Sequence, residues 1–189
     1  MSKHGVKDRI LETAIAMLRD TDDPTTITVS QIAEQADVGA GSINYNFGSK
    51  DALLSQAIWH IVGEAAGGWY TGAGSDVDAR TRLKLLFKGG LQAMLQYPAH
   101  TRMGIQQVLK SGDMQAHHLI LPLLRDIFGD TRPEIELRLI AFQMNASFRV
   151  AFLNLRELGD FLGLDVSTEA AIDTITETII DNLIGSEKS

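Results

Sequence analysis

The segment from Thr28 to Leu53, TVSQIAEQADVGAGSINYNFGSKDAL, leaves few folds open. It reads as two short helices joined by a tight turn and followed by a third, capped helix, the arrangement that lets a helix enter a DNA groove. Thr28 is placed to N-cap the first helix, and Gln31 three residues on completes a capping box that satisfies two orphan backbone donors. Ile32, Ala33 and Ala36 supply its apolar face, and Asp37-Val38-Gly39 supplies the turn. Val38, Ile43 and Phe47 recur at helical spacing and can close a small core on Ile32 and Ala36. Ser42, Asn44 and Tyr45 then point elsewhere.

The side chains left outside that core suit nucleic acid. An Asn amide can pair bidentately with an adenine edge, a Ser hydroxyl can bond base or phosphate, and a Tyr hydroxyl can donate to phosphate. The candidate DNA contacts are therefore Ser42, Asn44, Tyr45 and Asn46, with Thr28 and Gln31 as capping residues first and phosphate contacts second. Gly39 and Gly41 are expected to serve the backbone, permitting a close turn and an approach to the sugar-phosphate chain. The bland alternative is that these are exposed polar residues on a short helix.

The run Val38-Gly-Ala-Gly-Ser-Ile-Asn-Tyr-Asn-Phe-Gly-Ser-Lys-Asp-Ala-Leu53 resembles the TetR-family signature, in which a short recognition helix ends in Tyr-x-Phe and continues into Ser-Lys-x-x-Leu. The likeness covers roughly the first quarter of the chain, from the helix near Val6 to the helix starting at Asp51. It implies that Tyr45 and Lys50 touch phosphate. It also implies a dimer in which two C-terminal helices of each subunit form a four-helix bundle. The chain departs from the family at Ala40, Ser42 and Asn46, where many members carry Lys, Thr or Arg, and a His before the Phe. Its recognition helix is neutral.

Length and charge narrow the reading further. A chain of 189 residues fits a small DNA-binding domain, expected over 1–50, fused to a larger helical ligand-binding and dimerisation domain over 51–189. The net charge of −7 argues against a generic nucleic-acid coat and predicts weak non-specific binding. There is no cysteine, so disulfides, thiolate metal sites and cysteine nucleophiles are excluded. The first ten residues lack a signal-peptide core, and no run reaches the roughly 20 apolar residues of a spanning helix, so a cytoplasmic location without membrane contact is expected.

Everything else reads as helix, giving an all-α fold without repeats. Val6 to Leu18 forms the first helix, which ends before Pro24, and Ser49 can cap a fourth that runs to Gly67 and links the domains. Gly67 to Ser75 is the best loop candidate. Leu83 to Leu95 lines a helix ending at Tyr97-Pro98, a shorter one reaches Lys110, and Asp113 is placed to cap another that ends at Gly129. Thr131-Arg-Pro-Glu134 then opens a long helix expected to stop at Gly159, and a last helix starts at Ser167 or Thr168. Both of these last helices are apolar on more than one side, which points to a homodimer.

A ligand pocket needs apolar walls with a few placed polar groups. The candidates are Trp69, Tyr70, Phe87, Met103, Gln106, Gln107, His117, His118, Met144, Asn145, Phe148, Arg149 and Phe152, although Met and Phe at helical spacing more often pack interiors. His117-His118 is no metal pair, because adjacent helical residues diverge by about 100°. No cofactor or metal is expected, and no nucleophile, phosphate loop or metal-ligand spacing supports catalysis. The expected function is a ligand-responsive transcriptional regulator, a repressor released from a near-palindromic double-stranded operator by a small, mainly apolar effector. The alternatives are an activator, a co-repressor-dependent regulator of the same fold, or a helical dimer that no longer binds DNA.

Overall fold

Helix α1, His4–Arg19, carries the first apolar stripe, and Ile10, Ala14 and Leu18 on it are buried at successive turns. The computed structural model describes residues 4–70 and 77–185, with the side chains of 4 and 68–70 outside the description. All regular structure among the described residues is helical: α2 Val29–Gln35, α3 Gly41–Phe47, α4 Lys50–Tyr70, α5 Ala79–Gln96, α6 Pro98–Ser111, α7 Gln115–Phe128, α8 Glu134–Leu153, α9 Leu155–Leu162 and α10 Glu169–Ile184. Short 3-10 turns precede α2, at Pro24–Thr26, and α8, at Gly129–Thr131. The chain is all-α, as its periodicity predicts.

Two compact units divide these elements. The first comprises residues 1–65 and 94–112, and the second residues 66–93 and 113–189. Helix α4 therefore passes from one unit into the other. In the first unit α1 packs on α2 and α2 on α3, while α6 packs against the 3-10 turn at Pro24. The imidazole Nε2 of the buried His100, on α6, lies 2.9 Å from the Leu18 carbonyl oxygen near the end of α1. A close approach fixes α6 on α4, because a Cβ on Gly104 would stand 3.2 Å from Ile58 and 3.3 Å from the Trp59 ring.

In the second unit α8 is central and packs against α7, α9 and α10. Its inner residues Leu137, Ile140, Ala141, Met144, Phe148, Ala151 and Phe152 are buried. From α10, Ile172, Ile175, Ile180 and Ile184 join the core, and from α5, Leu83, Phe87 and Leu91. Arg80, Lys84 and Lys88 follow one another at four-residue steps along α5 and meet Asp181, Asp173 and Glu169 of α10 in a ladder of ion pairs.

Two expected elements are corrected. Helix α4 does not stop at Gly67 but continues to Tyr70, so the loop expected from Gly67 is helical at its start, and its remainder, 71–75, lies outside the described residues. The long helix does not run to Gly159; it ends at Leu153, where Asn154 takes φ −124° and ψ 33°, outside the helical region. The Val150 carbonyl accepts both the Asn154 backbone N–H at 3.1 Å and the Asn154 side-chain amide at 2.9 Å, so the last turn of α8 closes on this residue. Gly159 lies inside the separate helix α9, whose stop is Gly163 at φ 68°, a left-handed position that glycine adopts without a Cβ clash. Asp113 stands one residue before Met114, the N-cap of α7, and its carboxylate accepts from the Gln115 amide at 2.8 Å.

Candidate nucleic-acid interface

The capping box is formed as the sequence predicts. Gln31 Oε1 accepts from the Thr28 amide at 2.8 Å, and the Gln31 amide donates to Thr28 Oγ1 at 3.3 Å. Both side chains are thereby committed to the start of α2. Ile32, Ala33, Ala36 and Ile43 are buried, with Val38 and Phe47 half-buried at the margin of the same core.

The turn is built differently from the expectation placed on its glycines. Its left-handed residue is Asp37, at φ 50°, a conformation that Asp tolerates better than most side chains. Gly39 and Gly41 have no positive φ, and a Cβ on either would meet nothing, so the turn itself does not require them. Arg9 of α1 donates to the Asp37 carbonyl at 3.3 Å and ties the turn to the supporting helix.

Helix α3 divides cleanly into two faces. Ile43 points into the core, while Gly41, Asn44 and Tyr45 are exposed, Tyr45 to 81%. Ala40 stands exposed at its start as N-cap, and Ser42 is half-exposed. Among the described residues the Asn44 side chain has no hydrogen-bond partner. Asn46, by contrast, donates from Nδ2 to the Ser42 carbonyl at 2.7 Å and so is partly spent on its own helix.

The nearby cations are occupied. Lys50 Nζ donates to the Ile27 carbonyl at 2.8 Å, pinning the start of α4 to the residue before α2. Lys7 lies over the Phe47 ring, 5.4 Å from its centroid, and Arg19 pairs with Glu64. Neither the Lys50 nor the Lys7 contact was visible in the sequence, since each joins residues far apart in the chain.

Residues 10–57 match the family described as bacterial regulatory proteins, tetR family. This N-terminal segment is a tetR-family domain. No curated protein matches it in sequence. Solved structures share the TetR fold along nearly the whole chain. A TetR transcriptional regulator from Rhodococcus sp. RHA1 is 17% identical and superposes with a TM-score of 0.62 over 96% of this chain and 99% of that one. A protein from Shewanella sp. PV-4 assigned to the tetR family of transcription regulators is 18% identical, with a TM-score of 0.53 over 94% and 96%. A transcriptional regulator from Pseudomonas aeruginosa PAO1 is 21% identical, with a TM-score of 0.55 over 98% and 93%. At these identities the structural likeness speaks to fold, and the regulator's DNA-binding role rests on the domain at 10–57. No described helix is long and apolar enough to cross a membrane.

The ligand candidates fall into two sets. Met103, Gln106 and Gln107 lie on α6 in the first unit, with Gln106 exposed. Phe87, His117, His118, Met144, Asn145, Phe148, Arg149 and Phe152 belong to the second unit. Within that unit Phe87, Met144, Phe148 and Phe152 are buried core, whereas the Asn145 amide donates to the Ala141 carbonyl at 3.0 Å on its own helix. His117 is buried, stacks on Phe142 with centroids 5.7 Å apart, and has Nδ1 3.2 Å from the Met114 carbonyl oxygen. Burial pushes its pKa down, and the nearby Arg149 adds to the effect. Arg149 is itself half-buried, and that burial depresses its pKa although Asp113 opposes the shift. Trp69 and Tyr70 lie outside the described side chains. A surface concavity of about 580 Å³ opens instead at the α7–α8 junction, lined by Arg125, Gly129 to Glu134 and Leu137, and touches none of the candidates.

Proposed function

We propose that this TetR-family regulator binds a near-palindromic DNA operator as a homodimer and changes its grip when a small molecule binds the second unit. The observation that carries the reading is the division of α3, which leaves Asn44 and Tyr45 projecting into solvent from a helix held in place by Ile43. A helix presented in this way can lie in a major groove with its supporting helices against the phosphates. Gly39, Ala40, Gly41, Ser42 and Asn46 flank that contact, and Thr28, Gln31 and Lys50 hold the surrounding backbone in register for it.

Dimerisation is supported by α8. Ile135, Leu139, Phe142 and Val150 are exposed by 49–64% and fall at i, i+4, i+7 and i+15, so they share one face of the helix. Such a stripe on a small protein calls for a partner, and a second copy places the same stripe opposite it. The exposed side of α10 carries Thr174, Glu177 and Thr178, so its part in the interface is polar while its isoleucines pack within the subunit.

For ligand response, α4 is the natural lever because it belongs to both units. A ligand acts through its different affinity for two dimer shapes, one of which sets the reading helices at the wrong separation. Half-buried Asn145 and Arg149 with buried His117 set polar groups beside the apolar core of the second unit, a combination that suits a small, mainly apolar effector with one polar end. Repression relieved by the effector is the direction this reading takes, in a bacterial cytoplasm.

The test is selection of bound duplexes from a random pool, followed by footprinting and a mass measurement in solution. The reading expects two half-sites with centres about 34 to 36 Å apart, or a multiple of it, protected by a species of twice the chain mass. Leu139→Asp should give monomers that lose the footprint. A monomer of the unaltered chain at micromolar concentration that protects a single half-site would exclude the dimeric reading.

A further inference from the structure

Recognition helices most often identify a guanine by a bidentate Arg or Lys to O6 and N7, and an adenine by a bidentate Asn or Gln to N6 and N7. Helix α3, GSINYNF, has no Arg, Lys or Gln, and two Asn. The structure separates those two. Asn46 is half-buried and its Nδ2 is held at 2.7 Å by the Ser42 carbonyl, which leaves it without the free amide edge that a bidentate pair needs. Asn44 is exposed, lies on the same face as Gly41 and Tyr45, and has no partner for either amide atom among the described residues.

The basic residues around the helix do not fill the gap. Lys50 is half-buried on the Ile27 carbonyl, Lys7 sits over Phe47, Arg9 is directed to the Asp37 carbonyl and Arg19 to Glu64. Gln31, the other amide near the surface, has its Oε1 bound by both the amide and the hydroxyl of Thr28. Each of these groups would have to abandon an existing contact to reach a base edge.

We propose that the operator of this regulator is read at an adenine, with Asn44 as the side chain that determines specificity and with no guanine held by a basic side chain. Asn44 Oδ1 accepts from the adenine N6 amino group while Nδ2 donates to N7. Ala40, exposed at the start of the same helix, offers a methyl to the C5-methyl of a neighbouring thymine, so the centre of each half-site is an A·T step. A neutral helix that reads A·T gains little from phosphate attraction, and its affinity therefore depends on this pair more than it would in a basic helix. The inference rests on the DNA-binding reading above and adds to it the class of base recognised.

The experiment titrates the dimeric protein against duplexes selected from a random pool, with each half-site adenine replaced in turn by 7-deazaadenine and each guanine by 7-deazaguanine. Loss of N7 at one adenine per half-site is expected to weaken the wild-type protein by about tenfold or more, the scale of a bidentate base contact. Asn44→Ala should bind the selected duplex more weakly, and for it the same 7-deazaadenine replacement should change nothing. Because Asn44 is exposed and unbonded, the variant is expected to keep the wild-type melting temperature, which circular dichroism checks. The proposal is overturned if 7-deazaguanine gives the largest loss, or if the 7-deazaadenine effect persists undiminished in Asn44→Ala. A pool that yields no preferred duplex at all instead defeats the DNA-binding reading on which the proposal stands.

Discussion

The rings of Phe87 and Phe148 stack with centroids 4.4 Å apart and planes inclined by 23°, joining α5 to α8 in the centre of the second unit. Phe148 is almost fully buried and Phe87 nearly so. Two rings in such contact behave as core whatever else the unit binds. Phe148→Ala is expected to lower unfolding stability by about 3–5 kcal/mol, the scale of an aromatic truncation in a packed interior. Urea denaturation measures it. A loss under about 1 kcal/mol would mean that the ring faces a space already able to relax or fill.

The ladder between α5 and α10 offers a second quantity. Lys88 Nζ lies 2.9 Å from Asp173 and 3.2 Å from Glu169, and Lys84 Nζ lies 3.0 Å from Asp181. These lysines are three-quarters buried by their neighbours, so salt screens them less than fully exposed pairs. A double-mutant cycle on Lys88→Ala and Asp173→Ala should give a favourable coupling of about 0.5–1 kcal/mol. Arg80 reaches the carbonyls of Ile184 and Gly185 as well, capping the C-terminal end of α10 with a cation. Absence of any coupling at low salt would show that the ladder forms no cooperative contact.

Gly159 shows close approach in place of conformational need. A Cβ there would stand 2.6 Å from Val166 Cγ1 and 2.9 Å from the Leu164 carbonyl oxygen, and the carbonyl belongs to the backbone. Alanine is the better helix former by about 1 kcal/mol, yet overpacking of this kind costs about 1–3 kcal/mol. Gly159→Ala is therefore expected to be destabilising by thermal denaturation. A raised melting temperature would contradict the packing of α9 on the segment after it.

His117 gives the fold a dependence on pH. Burial holds its pKa below the ordinary 6.5, with Arg149 and His118 acting in the same direction and the Met114 carbonyl and Asp113 opposing. The unfolded chain therefore takes up this proton first as pH falls, and stability declines below about pH 6.5 until the folded form is protonated too. Comparing unfolding at pH 7 and pH 5.5, His117→Phe should lose less stability than the wild type while keeping a ring against Phe142. An equal loss in both would assign the decline to other groups.

Much of the N-terminal unit was legible because its signals are local. The Thr28–Gln31 capping box, the Ser49 cap, whose Oγ accepts from the Ala52 amide at 3.1 Å, and the Ile32–Ala36–Ile43 core each span only a few residues or one helical period. The left-handed turn residue was not, because Asp37 and Gly39 are equally plausible by composition and the deciding contact, from Arg9, comes 28 residues earlier. Lys50 reads as a phosphate contact by resemblance, and only folding brings it to the Ile27 carbonyl. The break at Asn154 lay inside unbroken apolar periodicity, where one residue leaving the helical region leaves no mark on the pattern. The ligand candidates had no local signal at all: Phe and Met spaced for a pocket and for a core are the same sequence.

The claim at the centre is that α3 reads bases, and a binding titration tests it most directly. Fluorescence anisotropy at physiological salt should compare the selected duplex with a shuffled duplex of equal composition, for wild type and for Tyr45→Ala. The account predicts that wild type prefers the selected duplex by about a thousandfold or more, and that Tyr45→Ala weakens binding to both duplexes by a similar factor. Equal affinity of the wild-type protein for the two duplexes would contradict it.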